Sequence, residues 1–321
     1  MSNALAPIAY EHAEDILAFA INELKAGHPV ALVVVTGTLG GSVRRPGAMM
    51  AVSRSGTTAG YVSGGCIDSD VALHAIQCIE RGASKTIRYG TGSPFIDIQL
   101  PCGGGIDVTI CPNPDLGTLE RMLQTLHARS AVGITIDEQG HVEILDQVPS
   151  ATGHTSGVFE AVYTPHLQLR LAGRGADIIA TSRLASGAGI RTLVQSPDQE
   201  ILDAVAAYPG ARTQHISTQS YAAIARDDRW TAFLLMFHDT DLETPLLCDA
   251  LEGEAFFIGA VGSFNAQQRR QSALRERGLS EDAIARIHGP VGLVPAMRDA
   301  SMLAISALSQ VIAEFEKAHA S

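Results

Sequence analysis

The apolar positions of this chain follow two rhythms, and the change between them falls near the middle of the sequence. Residues 13–25 carry apolar side chains at helical spacing and are followed by Gly27, which predicts an amphipathic helix. The run 29–36 (PVALVVVT) is continuous and rich in β-branched residues, the pattern of a buried strand. Residues 49–52 and 57–61 predict two strands joined by a Ser55-Gly56 turn, and 66–81 predicts a helix closed by Gly82. Strands are expected at 85–89 and 106–110, a helix at 117–128, and a hairpin of 132–135 with 141–145 around Gln139-Gly140. Residues 149–165 are rich in Ser, Thr, Gly and Pro and read as a linker.

From His166 the rhythm becomes strand, helix, strand. Strands are expected at 166–171, 190–194, 230–237 and 255–260, and helices at 176–185, 201–207, 244–251, 265–277 and 301–318. Alternation of this length implies a parallel sheet covered by helices on both faces. The expectation is an α/β protein: a mixed α+β N-terminal domain at 1–148, a linker at 149–165, and a Rossmann-like parallel-sheet domain at 166–321.

Composition narrows the function classes. The 321 residues are 46% hydrophobic and 18% charged, enough apolar material for two cores. Lys and Arg total 23 against 34 acids, a formal net charge of −11, which argues against nucleic-acid binding. No apolar stretch approaches the roughly 20 residues of a membrane helix, and residues 1–13 lack the pattern of a secretory signal, so a cytoplasmic protein is expected. The cysteines (Cys66, Cys78, Cys102, Cys111 and Cys248) form no CxxC pair and read as reduced thiols. Cys78, Cys111 and Cys248 are expected to be structural.

Six segments could carry chemistry. Residues 37–47 follow a strand and set Arg44 and Arg45 among glycines, a phosphate clamp or else a solvated turn. In Ser63-Gly64-Gly65-Cys66, the cysteine would begin a helix whose N-terminus favours thiolate; the alternative is a small buried residue. Cys102 precedes Gly103, Gly104 and Gly105, which cannot pack against it, so a ligand-facing loop is expected. Gly173-Arg174-Gly175 lies between strand and helix like a dinucleotide turn, yet Ile178 replaces the third glycine and Gln195-Ser196 replace the ribose-holding acid. His238 and Asp239 end the most apolar strand and could bind a ligand, unless Thr240 or Asp241 merely caps a helix there. Gly259 and Gly262 form a further glycine turn, with Arg269 and Arg270 on the next helix and a compact loop, 287–293, before the last one. No Ser–His–Asp triad, HExxH motif or carboxylate pair is evident, so binding loops outnumber catalytic groups.

Taken in order, GSVRRPGAMM (41–50), VSGGC (62–66), PCGGG (101–105), HDTDLETPLL (238–247), FIGAVGS (257–263) and RIHGPVGL (286–293) resemble the XdhC/CoxI family. The resemblance covers nearly the whole chain. It implies a non-enzymatic chaperone that binds molybdenum cofactor (molybdopterin), protects it during sulfuration and inserts it into a xanthine dehydrogenase or aldehyde oxidoreductase. It implies cofactor contacts at Arg44, Arg45, Cys66 and Cys102, with Cys66 and Cys102 as the metal-facing thiols; Gly64, Gly65, Gly103, Gly104, Gly173, Gly175, His238, Asp239, Gly259 and Gly262, from the loops above, are further candidate cofactor contacts. The implied partners are a client molybdenum hydroxylase, a cysteine desulfurase, a cofactor nucleotidyltransferase and a second copy of the chain. Asp68 stands where relatives have Glu, GRGAD where they have GxGH, and Arg298-Asp299-Ala300 where they have Pro-Glu-Glu. These departures resemble the branch serving periplasmic aldehyde oxidoreductase, which handles the cytosine dinucleotide form. A competing reading, from the Rossmann-like half alone, is an NAD(P)-dependent oxidoreductase.

Overall fold

The computed structural model describes residues 12–41, 44–65, 67–93, 103–217, 226–237 and 240–319, the side chains of 240 and 241 excepted. The chain divides between Pro165 and His166 into two units. The first runs α1 (Ala13–Lys25), β1 (Val30–Leu39), β2 (Met49–Ser53), β3 (Thr58–Gly60), α2 (Asp68–Arg81), β4 (Lys85–Gly90), β5 (Gly105–Pro112), α3 (Leu116–His127), β6 (Val132–Ile136), β7 (Val142–Ile144), β8 (Gly153–Thr155) and β9 (Val158–Tyr163).

β1 is the centre of this unit. Its sheet has the order β3-β2-β1-β5-β4, and every pairing in it is antiparallel. Val30, Leu32 and Val34 point into one core with α1, α3 and the sheet β7-β6-β9-β8. Ala31, Val33 and Val35 point into the opposite core under α2. A strand buried on both faces needs no polar alternation, which is why 29–36 reads as an unbroken apolar run. Each fully buried Val or Leu contributes about 1.5–3 kcal/mol, so this strand anchors both layers.

Residues 149–165 are not a linker. β8 and β9 lie within them and complete the four-stranded sheet, with Phe159, Ala161 and Tyr163 buried on alternate positions of β9. The turn-forming residues of this segment surround two strands rather than a free tether.

The second unit runs β10 (Gln168–Gly173), α4 (Gly175–Gly187), β11 (Arg191–Ser196), α5 (Gln199–Ala206), β12 (Ala211–His215), β13 (Thr231–Met236), α6 (Thr240–Glu252), β14 (Phe257–Ala260), α7 (Phe264–Glu276), α8 (Glu281–Ala285), β15 (Ile287–His288) and α9 (Ala300–His319). Its strands are all parallel in the order β12-β11-β10-β13-β14-β15, the Rossmann order with its reversal between β10 and β13. One core gathers α4, α5 and α9 against Leu169, Leu171, Leu234 and Met236, and the other gathers α6 and α7 against Phe233, Leu235 and Phe237. The mixed antiparallel first half and parallel second half are the architecture the hydrophobic pattern implies. No described helix is long and apolar enough to cross a membrane.

Candidate functional site

The register of the first sheet sets where its loops emerge. Leu39, the last residue of β1, pairs with Gly105, the first of β5, and Gly105 pairs with Gly90, the last of β4. Val34 pairs with Met49 at the start of β2, and Met50 pairs with Gly60 at the end of β3. The segments 40–48, 61–67 and 91–104 therefore all leave from one edge of one sheet. These are the segments that hold the arginine pair, VSGGC and PCGGG.

Backbone contact joins the first and third segments. A Cβ on Gly104 would collide with the Gly41 carbonyl oxygen and stand 2.8 Å from that of Leu39, so the two chains approach as only glycine allows. Thr91 locks the far side: its N–H donates to the Gly104 carbonyl at 3.0 Å and its hydroxyl to the Gly103 carbonyl at 3.1 Å. Gly103 and Gly65, the neighbours of Cys102 and Cys66, face open space, with nothing within 4 Å of a Cβ built on either. Cys66 and Cys102 themselves lie outside the described residues.

The arginine loop reaches the second segment through a side chain. The Arg44 guanidinium lies 4.6 Å from the centroid of the Tyr61 ring, immediately before VSGGC, while Arg45 is exposed. VSGGC is shaped by Asp68, which accepts hydrogen bonds from the N–H groups of Val62 (2.9 Å), Ser63 (3.0 Å) and Gly65 (2.5 Å). The Ser63 hydroxyl accepts from Ile67 N–H at 3.1 Å, so Gly64 and Gly65 are wound tightly over the first turn of α2. Asp68 is one methylene shorter than Glu, and here its carboxylate is occupied by the loop itself. Beside it the Tyr89 hydroxyl donates to Asp70 at 2.7 Å; burial, and then Asp70, hold this phenol above its usual range, so it remains a neutral donor.

Three other thiols are described. Burial pushes Cys111 up to about 12, and burial raises Cys78 and Cys248, so all three stay protonated at neutral pH. Cys78 and Cys111 are buried in the two cores of the first unit. Among the described residues no group of three or more His, Cys, Asp and Glu side chains could hold a metal ion.

In the second unit the glycines play different parts. A Cβ on Gly173 would stand 2.5 Å from the Met236 carbonyl, so this glycine lets β10 and β13 close at the strand-order reversal. Gly175 opens α4 with φ +74°, and Arg174 before it is exposed and 3.7 Å from Asp198. Gly259, expected among the ligand contacts, lies inside β14, where a Cβ would meet Leu234, Phe257 and Val291 within 2.8 Å; its role is close packing. Gln195 is fully buried, accepting from Arg170 at 3.2 Å and donating to Gln214 at 2.7 Å, so its amide is committed internally. His238 and Asp239 lie outside the described residues, between β13 and α6.

Gly262 ends the turn after β14 and lines a pocket of ≈ 630 Å³ with Ser263, Phe264, Val291, Val294 and Arg298. Behind it is a buried bidentate pair, Arg270 Nε to Glu243 at 2.9 Å and Arg270 Nη2 to Glu243 at 3.1 Å. The sequence puts Arg270 on a polar-faced helix with no role of its own. Its one distinguishing signal was adjacency to Arg269, since neighbouring helical residues point to different faces.

The model for the XdhC and CoxI family matches residues 23–90, and that for the XdhC Rossmann domain matches 169–311. The chain is 34% identical over 296 residues to the molybdenum cofactor insertion chaperone PaoD of Escherichia coli strain K12, covering 92% of this chain and 86% of that protein. The chain belongs to the XdhC and CoxI family. It is also 28% identical to YqeB of the same organism, an uncharacterized protein, over 52% of this chain and 31% of that one. A crystal structure from Bacillus halodurans described as a xanthine dehydrogenase superposes with a TM-score of 0.75 at 22% identity, over 95% of this chain and 96% of that one, a likeness of fold.

Proposed function

We propose that this chain is a carrier of molybdenum cofactor: it binds the pterin, shields it during sulfuration and hands it to a molybdenum hydroxylase such as a xanthine dehydrogenase or aldehyde oxidoreductase. The observation that carries this reading is the meeting of three glycine-rich segments at one sheet edge, with Arg44 bridging two of them. Bare backbone at Gly65 and Gly103, with nothing within 4 Å of a Cβ built on either, leaves room for a flat ligand, and backbone N–H groups with arginine suit its phosphate. The residues fit the cargo chemically. Cys66 and Cys102, flanked by glycines that face open space, would offer soft thiolates to molybdenum. The similarity to a molybdenum cofactor insertion chaperone over most of both chains supports the same reading.

The role is that of an accessory factor without turnover, in the cytoplasm. Its partners would be the client, a cysteine desulfurase, a nucleotidyltransferase and a second copy of the chain. The cofactor would be carried in its cytosine dinucleotide form; the first unit would hold pterin and metal, and the second would hold the nucleotide or shape a dimer. The test is a client hydroxylase produced with and without this protein. The role predicts that client made alone lacks sulfurated cofactor; full client activity in its absence would contradict it.

An NAD(P)-dependent oxidoreductase is the second reading, favoured by the strand order of the second unit. Against it, Gln195 occupies the ribose-acid position and is bonded internally. Saturable binding of a nicotinamide dinucleotide would favour it.

A further inference from the structure

We propose that the pocket beyond β14 is a nucleoside-phosphate site, taking the heterocycle against the 290–298 loop and the phosphate at the start of α7. In giving the nucleotide half of the cofactor a place, this inference rests on the carrier reading above.

The pocket of ≈ 630 Å³ falls within the range of about 300–1,000 Å³ usual for small-ligand sites. Its apolar wall includes Val261, Phe264, Val291, Val294 and Leu303. Phe264 and Val294 are 67% and 51% exposed, so large apolar groups stand in water around a concave site, as they do where a ring will cover them. α7 points its N-terminus into the same pocket, because Ser263 and Phe264 both line it. The Ser263 hydroxyl accepts only from Ala266 N–H, at 3.2 Å, and the N–H groups of Phe264 and Asn265 have no acceptor within the helix.

A second, independent observation points to an anion. The Arg270 side chain is 3% exposed; Nε and Nη2 serve Glu243, Nη2 also reaches the Phe237 carbonyl at 3.5 Å, and Nη1 is buried with no hydrogen-bond partner. Buried donors are almost always paired, so this one keeps capacity for an acceptor. Both terminal nitrogens lie 3.4 Å from the place of a Cβ on Gly262, so the guanidinium rests directly beneath the turn that lines the pocket. Only glycine, with φ +132°, permits that turn. Glu243 neutralises Arg270, and the exposed Arg298 on the pocket wall brings a positive charge to the site. Asp177, also on the wall, offers an acceptor to a sugar hydroxyl or ring N–H. The β10 turn is less suited, because Arg174 there faces Asp198 and Gln195 is committed elsewhere.

The test is calorimetric titration of the full-length protein, made without the cofactor pathway, with cytidine 5′-monophosphate and separately with inorganic phosphate. Wild type should bind the nucleotide saturably and about tenfold or more tightly than phosphate. Arg298→Glu and Phe264→Ala, both surface changes, should each weaken it by about tenfold. Arg269→Glu, on the same helix but lining a different groove, should leave it unchanged. Absence of saturable nucleotide binding, phosphate binding as tight as the nucleotide, or full affinity in both pocket variants would overturn the assignment. Pterin retention on separate, co-expressed preparations distinguishes the two ideas. Retained pterin with no nucleotide binding defeats the pocket alone, and nucleotide binding with no pterin defeats the carrier reading alone.

Discussion

The Arg44 guanidinium stacks on the Tyr61 ring at 4.6 Å, and this contact bridges two loops that share one sheet edge. A partly exposed cation–π contact is worth about 0.5–1 kcal/mol. Tyr61→Ala should therefore cost about that much stability in urea denaturation. It should also lower pterin retention severalfold, read by fluorescence after gel filtration, because the arginine loop loses its anchor. Unchanged retention would separate Arg44 from the site.

Gly104 has no room for a methyl group, since a Cβ would strike the Gly41 carbonyl. Gly104→Ala should destabilise the protein by about 2 kcal/mol, the scale of overpacking, and should abolish pterin retention. Gly65→Ala meets no neighbour within 4 Å and serves as the comparison; its cost comes only from φ +116°. Equal denaturation midpoints would show that the two loops are not in backbone contact.

Asp68 holds three N–H groups of VSGGC. Asp68→Ala leaves them without that acceptor and should cost about 1–2 kcal/mol, as the loss of a helix cap does. Asp68→Asn keeps one acceptor oxygen and should fall between. Reactivity of Cys66 toward iodoacetamide, followed by peptide mass spectrometry, should rise in Asp68→Ala as the turn loosens.

Asp115 caps α3, accepting from Thr118 N–H at 2.7 Å and from the Thr118 hydroxyl at 3.0 Å, and these bonds hold its carboxyl below the usual value of 3.8. The unfolded chain then binds more protons than the fold in that window. The contribution is complete above the ordinary carboxylate range and is lost as pH falls through the lowered value. Asp115→Asn keeps the acceptor and removes the titration. Its stability should fall less steeply than wild type as pH drops below the ordinary carboxylate range, measured by urea denaturation. Parallel acid limbs would contradict this.

Much of the fold was legible because burial left a local signature. β1 is apolar without interruption because both its faces are covered, and β13 of the second unit reads the same way. β8 and β9 were hidden by the Ser, Thr, Gly and Pro around them, although VFEAVY at 158–163 alternates in and out of the core. β12 has no such signal: ARTQH is largely exposed at the sheet edge, and its strand geometry comes from pairing with β11. β15 is two residues long and exists through β14.

The candidate site was legible as motifs but not as geometry. Glycines marked all three loops, yet only register shows that Leu39, Gly90 and Gly105 bring them to one edge. Glycine alone also misled at Gly259, which is spaced for packing against Leu234 and Val291. The sequence places Arg270 beside the glycine turn but does not show its role, because a buried arginine is identified by its distant partner, Glu243, which lies 27 positions earlier.

The central claim is tested most directly by mass spectrometry of the pterin released from this protein after co-expression with the cofactor pathway. The comparison is wild type, the double variant Arg44→Ala with Arg45→Ala, Cys102→Ser and Cys248→Ser. The carrier role predicts molybdopterin on wild type and Cys248→Ser, with marked loss from the arginine double variant and from Cys102→Ser. No pterin on wild type, or equal pterin on all four, would contradict it.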